Sequence, residues 1–162
     1  MIVYHGSNIV VENPRLVPQT RFLDFGNGFY TTENKIQALS FAEKVYRRRK
    51  EGSPIVSVYD IDESAAFTTC STLRFDAPDE TWLDFVYEHR TGNYKGSAYE
   101  LIYGAVANDD VYETFTLYAT GALDKEDTLK RLRIKKLYSQ LVFASERALS
   151  FLNFKYVLEE GK

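Results

Sequence analysis

Tyr4-His5-Gly6-Ser7 and Phe25-Gly26-Asn27-Gly28-Phe29-Tyr30 are the stretches in which residue type and spacing suit a ligand site. His5, one of two histidines, ends an apolar run from Ile2 that Gly6 is expected to break. Strand ends are where binding groups leave a rigid scaffold. An imidazole there offers one donor and one acceptor, a match for a ribose hydroxyl, although a structural role is the plainer reading. The glycine pair before Phe29 and Tyr30 lacks the third glycine and the helix start of a dinucleotide fingerprint. It therefore reads first as a tight turn, and second as a place where backbone approaches a ligand closely. No Gly-x-x-x-x-Gly-Lys-Ser/Thr run occurs, which removes the phosphate-binding loop.

The remaining reactive groups point less clearly. Cys70 lies among Thr68, Thr69, Ser71 and Thr72 with no histidine nearby to activate its thiol. Carboxylates are numerous, but none forms a spaced acid–base pair. Arg47-Arg48-Arg49-Lys50 closes an expected helix, where cations complement the helix dipole. Lys130, Arg131, Arg133, Lys135 and Lys136 make a second basic stretch. Both clusters read as helix ends before they read as RNA or phosphate contacts. His89, between Glu88 and Arg90, reads as surface or packing.

These groups need a scaffold, and the 162 residues are enough for one domain with a full core, which the whole chain is expected to form. A net charge of -3 leaves no global basic field for nucleic acid or membrane. One cysteine excludes an internal disulfide, and two histidines make a zinc site unexpected. The start MIVYHGSNIV has no charged segment followed by an apolar one, and no run approaches the roughly 20 apolar residues of a membrane span, so a cytoplasmic protein is expected. Aromatic residues reach 15%, enough for a core of large side chains or for a pocket that grips a flat ligand.

Strands are expected at 2–5, 28–31, 55–61, 100–106, 137–144 and 154–158, where β-branched and aromatic residues cluster or alternate. An ordered loop with Pro14 and Pro18 spans 8–25. A first helix is expected after a Thr32 cap, burying Ile36, Leu39, Ala42, Val45 and Tyr46. Asp79 caps a second, with Trp82, Phe85, Val86 and His89 on one face. Helices at 109–120 and 124–134 meet at Gly121, and a short one spans 145–152. Strands and helices do not alternate strictly, which favours an α+β fold with antiparallel pairing.

Three segments in this order resemble the ADP-ribosyltransferase fold, in its diphtheria-toxin-like and poly(ADP-ribose)-polymerase-like branch. Tyr4-His5-Gly6-Ser7 resembles that branch's His-Gly-Ser motif after the first strand. Gly26-Asn27-Gly28-Phe29-Tyr30 is similar to its Gly-x-Gly-Ile-Tyr, followed at matching spacing by a helix carrying Phe41. Leu137-Tyr138-Ser139-Gln140-Leu141-Val142-Phe143 resembles the strand whose start bears a catalytic glutamate. The resemblance covers residues 1–46 and 136–145. The whole chain is also similar to a little-characterised bacterial domain family in this fold, sometimes encoded near toxin–antitoxin genes.

The resemblance implies an ADP-ribosyltransferase-like split β-sandwich with surrounding helices and NAD+ in the cleft between two small sheets. It implies that Gly6 holds the nicotinamide amide, that His5 bonds the adenosine ribose, and that Ser7 adds a polar contact. Tyr30 and Phe41 would sandwich the nicotinamide, Arg15 would meet the diphosphate, and Gln140 would reach the nicotinamide ribose. A serine of the family's helix is replaced here by Ala38, with Ser40 out of register. The main departure is Gln140 in place of glutamate, since losing a charge that stabilises a cation-like ribose costs about 3–4 kcal/mol. The expected activity is single-step ADP-ribosyl transfer to a protein or nucleic-acid acceptor, as a toxin or effector with a possible antitoxin partner. The alternatives are a relative that binds NAD+ or ADP-ribose without turnover, and an RNA 2′-phosphotransferase or nucleic-acid binder.

Overall fold

β-branched and aromatic residues place the strands, and polar caps open the helices between them. The computed structural model describes residues 1–18, 22–107, 109–134 and 138–159. Among these, β1 (Ile2–Ser7), β2 (Phe29–Thr32), α1 (Lys35–Arg49), β3 (Ile55–Ile61), α2 (Glu63–Thr69) and β4 (Thr72–Arg74) form the first half. α3 (Glu80–Arg90), β5 (Leu101–Ala105), α4 (Asp109–Ala119), α5 (Lys125–Ile134), β6 (Ser139–Phe143), α6 (Glu146–Leu149) and β7 (Leu152–Glu159) follow. The architecture is mixed α+β. Lys135, Lys136 and Leu137 lie outside the described residues.

The strands form one sheet in the order β4-β5-β6-β2-β1-β3-β7, antiparallel except where β4 runs parallel to β5. Two separate small sheets were expected; a single hydrogen-bonded sheet is observed. Its centre is nevertheless a seam. β1 pairs with β3 along its whole length, from Ile2 with Asp60 to Ser7 with Ile55. Against β2 it pairs at Tyr4 with Thr32 alone.

Alternation of side chains divides the core between the two faces. Val56 and Val58 pack with Ala38 and Ala42 of α1, and Ile102 and Val142 pack with Trp82, Leu83 and Val86 of α3. The opposite face buries Val3, Tyr59, Leu101, Leu141 and Phe143 against Ala66 of α2 and Leu149 of α6. Phe85, Phe115 and Phe143 are core, while Tyr103 and Phe151 pack at its margin.

Several local expectations change. β1 runs through Gly6 to Ser7 instead of breaking there. Asn34, not Thr32, caps α1, its side chain accepting from Gln37 N at 2.8 Å. Thr32 instead donates its hydroxyl to the Ser139 carbonyl and accepts from Asn34 N. The buried face of α1 is Ala38, Ala42 and Val45, while Ile36 is 74% exposed and Tyr46 is also exposed. After β1, Asn8 ties to the far end of α1: it accepts from Ser53 N and from Arg49 Nη1 and donates to the Glu51 carbonyl, each at 3.1 Å. Among the described residues no helix is long and apolar enough to cross a membrane.

Candidate functional site at the sheet seam

The ladder pattern fixes which way the β1 backbone faces. Met1 and Ile61 exchange both backbone bonds, at 3.2 and 2.9 Å, so they are a hydrogen-bonded pair. In an antiparallel ladder such pairs alternate, so Val3, His5 and Ser7 bond to β3. Tyr4 and Gly6 then turn their N–H and C=O groups toward β2. Tyr4 meets Thr32 there, but Gly6 is buried and, among the described residues, has no strand partner on that side. A Cβ on Gly6 would stand 2.3 Å from the Ala38 carbonyl oxygen and 2.7 Å from Ala42 N. Glycine is therefore required at this position to seat α1 on β1, whatever else the strand-unpaired amide does.

Across the seam the His5 side chain meets the Tyr30 backbone, and alternation places the imidazole on the Phe29 face of the sheet, opposite the side chains of Tyr30 and Gln140. Nδ1 of His5 lies 2.7 Å from the Tyr30 carbonyl oxygen, which can only accept, so Nδ1 carries the proton and Nε2 is an acceptor. The ring stacks on Phe29 at 4.1 Å between centroids. Burial pushes the imidazole down to about 4, the bond to the Tyr30 carbonyl opposing the fall and the Arg49 charge adding to it. The ring is neutral at physiological pH. The Tyr30 hydroxyl donates to the Gly26 carbonyl at 2.6 Å and accepts from Phe25 N at 3.0 Å. Burial drives this phenol well above its ordinary value. Tyr30 thus acts as a fixed wall rather than a proton donor or base, and it staples the preceding loop.

Register puts Gln140 opposite Thr32 on β2, on the same face of the sheet as Tyr30. Gln140 is buried, and its Nε2 donates to Oδ2 of Asp24 at 3.3 Å. Asp24, also buried, accepts from Ala107 N at 3.0 Å on Oδ2 and from Arg90 Nε at 2.5 Å on Oδ1. A charged pair therefore stands behind the amide. Asp24 and Arg90 were not anticipated from the sequence. They come from a loop and from α3, and nothing in their spacing marks them.

The other expected site residues are less closely gathered. Ser7 is buried and donates to Asn8 Oδ1 at 3.4 Å. Phe41 projects from α1 with 46% of its surface exposed, and it makes no ring contact with Tyr30. Arg15 is exposed and makes no ion pair among the described residues. Ala38 packs over Gly6, which accounts for a small residue there. Of the glycine pair, Gly26 takes φ +82 in a turn closed by its N–H to the Leu23 carbonyl. Gly28 seats the chain on β6, where a Cβ would meet Val142 Cγ1 at 2.6 Å. Both answer to turn geometry and packing.

His89 proves to be packing: its ring lies between Phe85 and Tyr94 and Nδ1 bonds the Phe85 carbonyl. A cavity of about 240 Å³ opens between Leu23, Gly26 and Asn27 of the loop and His89, Gly92 and Tyr94, and neither His5, Tyr30 nor Gln140 lines it. Cys70 is buried, and burial raises its thiol against the opposing pull of Arg147, which disfavours the thiolate.

No curated protein and no solved structure matches the chain. The profile of one family, described as protein of unknown function DUF3990, matches residues 1–154. The chain, with its seven-stranded sheet opened at the β1–β2 seam, belongs to the DUF3990 family.

Proposed function

We propose that the protein transfers ADP-ribose from NAD+ to a macromolecular acceptor, one unit at a time, and releases nicotinamide. The observation that carries this reading is the seam. Gly6 presents a buried N–H and C=O with no strand partner among the described residues, and Tyr30 and Gln140 share one face beside it. An unpaired amide edge is what a carboxamide needs for a two-point hydrogen bond. The neutral His5 has Nε2 left to accept from a ribose hydroxyl. Tyr30, locked through its hydroxyl, offers a rigid ring for a nicotinamide face, and the exposed Phe41 offers the second ring from α1.

In this reaction the bond between nicotinamide and ribose C1′ breaks, and nicotinamide leaves with the electron pair. The acceptor's lone pair then forms the new bond to C1′, and its proton passes to solvent or to a base on the acceptor. The chain's contribution is positioning, exclusion of water, and a hydrogen bond from the ribose 2′-hydroxyl to Gln140. A toxin or effector role, with an antitoxin that covers the seam, is the biological setting this chemistry suits.

The test is release of nicotinamide and transfer of label from radiolabelled NAD+ in cell lysate, for the wild type and Gln140→Ala. Transfer that falls in the variant supports the reading. No release, no labelled product and no NAD+-induced shift in Tm would end it. A second reading, binding of NAD+ or ADP-ribose without turnover, is favoured by the neutral amide of Gln140. A Tm shift with NAD+ but no nicotinamide release would select it.

A further inference from the structure

We infer that Asp24 and Gln140 work as a unit, in which Asp24 is the positioning residue that orients the Gln140 amide and makes glutamine the required residue at 140. The ribose half of this inference rests on the NAD+ reading above; the pairing itself does not.

The argument starts from donors and acceptors. Asp24 takes Gln140 Nε2 at 3.3 Å and Ala107 N at 3.0 Å on one oxygen, and Arg90 Nε at 2.5 Å on the other. An amide that gives its N–H to Asp24 must present Oε1 elsewhere. Oε1 of Gln140 accepts no bond from a described residue and is not among the enclosed atoms left without a partner. It is therefore open to an incoming hydroxyl, such as that of the ligand proposed above. Position 140 must thus donate on one side and accept on the other, which a carboxamide does and an ionised carboxylate does not.

A glutamate at 140 would place a second carboxylate against Asp24 in a buried setting, where two such groups cannot both ionise readily. Arg90 offsets this only in part, because its single positive charge already faces Asp24 through the other oxygen. Gln140 is then not a glutamate that has decayed. The negative charge has moved one residue outward, onto Asp24, and the amide relays its orientation to the ligand.

The experiment is a double-mutant cycle over Gln140→Glu, Asp24→Asn and the double variant, reading Tm and nicotinamide release. Gln140→Glu should lower Tm and cut release about tenfold at about pH 8, with recovery relative to wild type at the same pH at about pH 5.5, as the two carboxyls come to share a proton. Asp24→Asn should cut release about tenfold through kcat, with the KM for NAD+ changed less than about threefold. The double variant should regain a substantial part of both losses, because the amide introduced at position 24 can donate to the carboxylate introduced at position 140. Strict additivity of the two single effects, or a Gln140→Glu enzyme more active than wild type at about pH 8, overturns the inference. If Asp24→Asn does not fold, the pH recovery of Gln140→Glu decides: its absence overturns the inference equally. A wild type that releases no nicotinamide sinks the NAD+ reading, while the Tm cycle still decides the pairing.

Discussion

The two edges of β1 differ in how they are held. Toward β3 the backbone is zipped from Ile2 to Ser7, and the ladder itself carries the join. Toward β2 the ladder stops at Tyr4, and side chains take over: His5 reaches the Tyr30 carbonyl, and Tyr30 reaches back to Phe25 and Gly26. A ladder edge is closed to ligands because each amide is already used. An edge bridged by side chains keeps its strands together while leaving backbone groups available. The contrast separates a closed structural edge from the edge proposed to bind, on the same six residues.

The comparison can be broken most severely at Gly6, which serves both edges. Gly6→Val should force α1 off β1, since even a Cβ lies 2.3 Å from a backbone oxygen, and destabilise by about 3 kcal/mol or more. A variant of wild-type Tm in thermal unfolding would contradict this packing.

His5 sharpens the contrast through pH. Its folded value of about 4 lies below the unfolded 6.5, so the native state prefers the neutral ring. That stability is fully present above about pH 6.5, is lost as pH falls, and levels off below about pH 4. Wild type should lose about 2 kcal/mol more than His5→Gln between about pH 7 and about pH 5, as measured by urea unfolding. Parallel losses would mean that the seam does not hold a neutral histidine.

Tyr30→Phe removes the hydroxyl that joins Phe25 N and the Gly26 carbonyl. It should cost about 1–2 kcal/mol and loosen the 22–28 loop, read as faster amide exchange at Phe25. Phe41→Ala should have the smallest effect on folding, within about 0.5 kcal/mol, because the side chain is exposed. Its NAD+-induced Tm shift should nevertheless shrink. An unchanged shift would remove Phe41 from the binding edge.

Legibility followed the length and self-sufficiency of each pattern. β3 was readable residue for residue in its bounds, because Ile55–Ile61 is rich in β-branched and aromatic residues between Pro54 and Asp62, but the half-buried alternation expected of it is absent: every residue except Asp60 is buried. α3 was readable from the Asp79 cap and the Trp82, Phe85, Val86 face. α2 and β4 were not. Seven and three residues give too little periodicity, and β4 exists only because β5 offers it a parallel edge. On α1 the large apolar residues misled: the helix is docked by Ala38 and Ala42 against Gly6, so close approach outranked hydrophobic size and left Ile36 in water.

The site divides in the same way. His5, Gly6, Tyr30 and Gln140 could be singled out as candidates because strand ends and motif order mark them. Asp24 was invisible, because its partners stand 66, 83 and 116 residues away in the chain. A lone loop carboxylate carries no spacing signal.

The Asn8 clasp has a consequence for the energetics of binding. Because Asn8 ties the end of β1 to Arg49, Glu51 and Ser53, the strand bearing His5 and Gly6 and the helix bearing Phe41 behave as one lever arm. For the proposed ligand, an arm fixed in this way leaves less conformational entropy to remove, and that preorganisation would lower the penalty of association. Any induced adjustment must then fall on the opposite wall, in the loop that Tyr30 fastens.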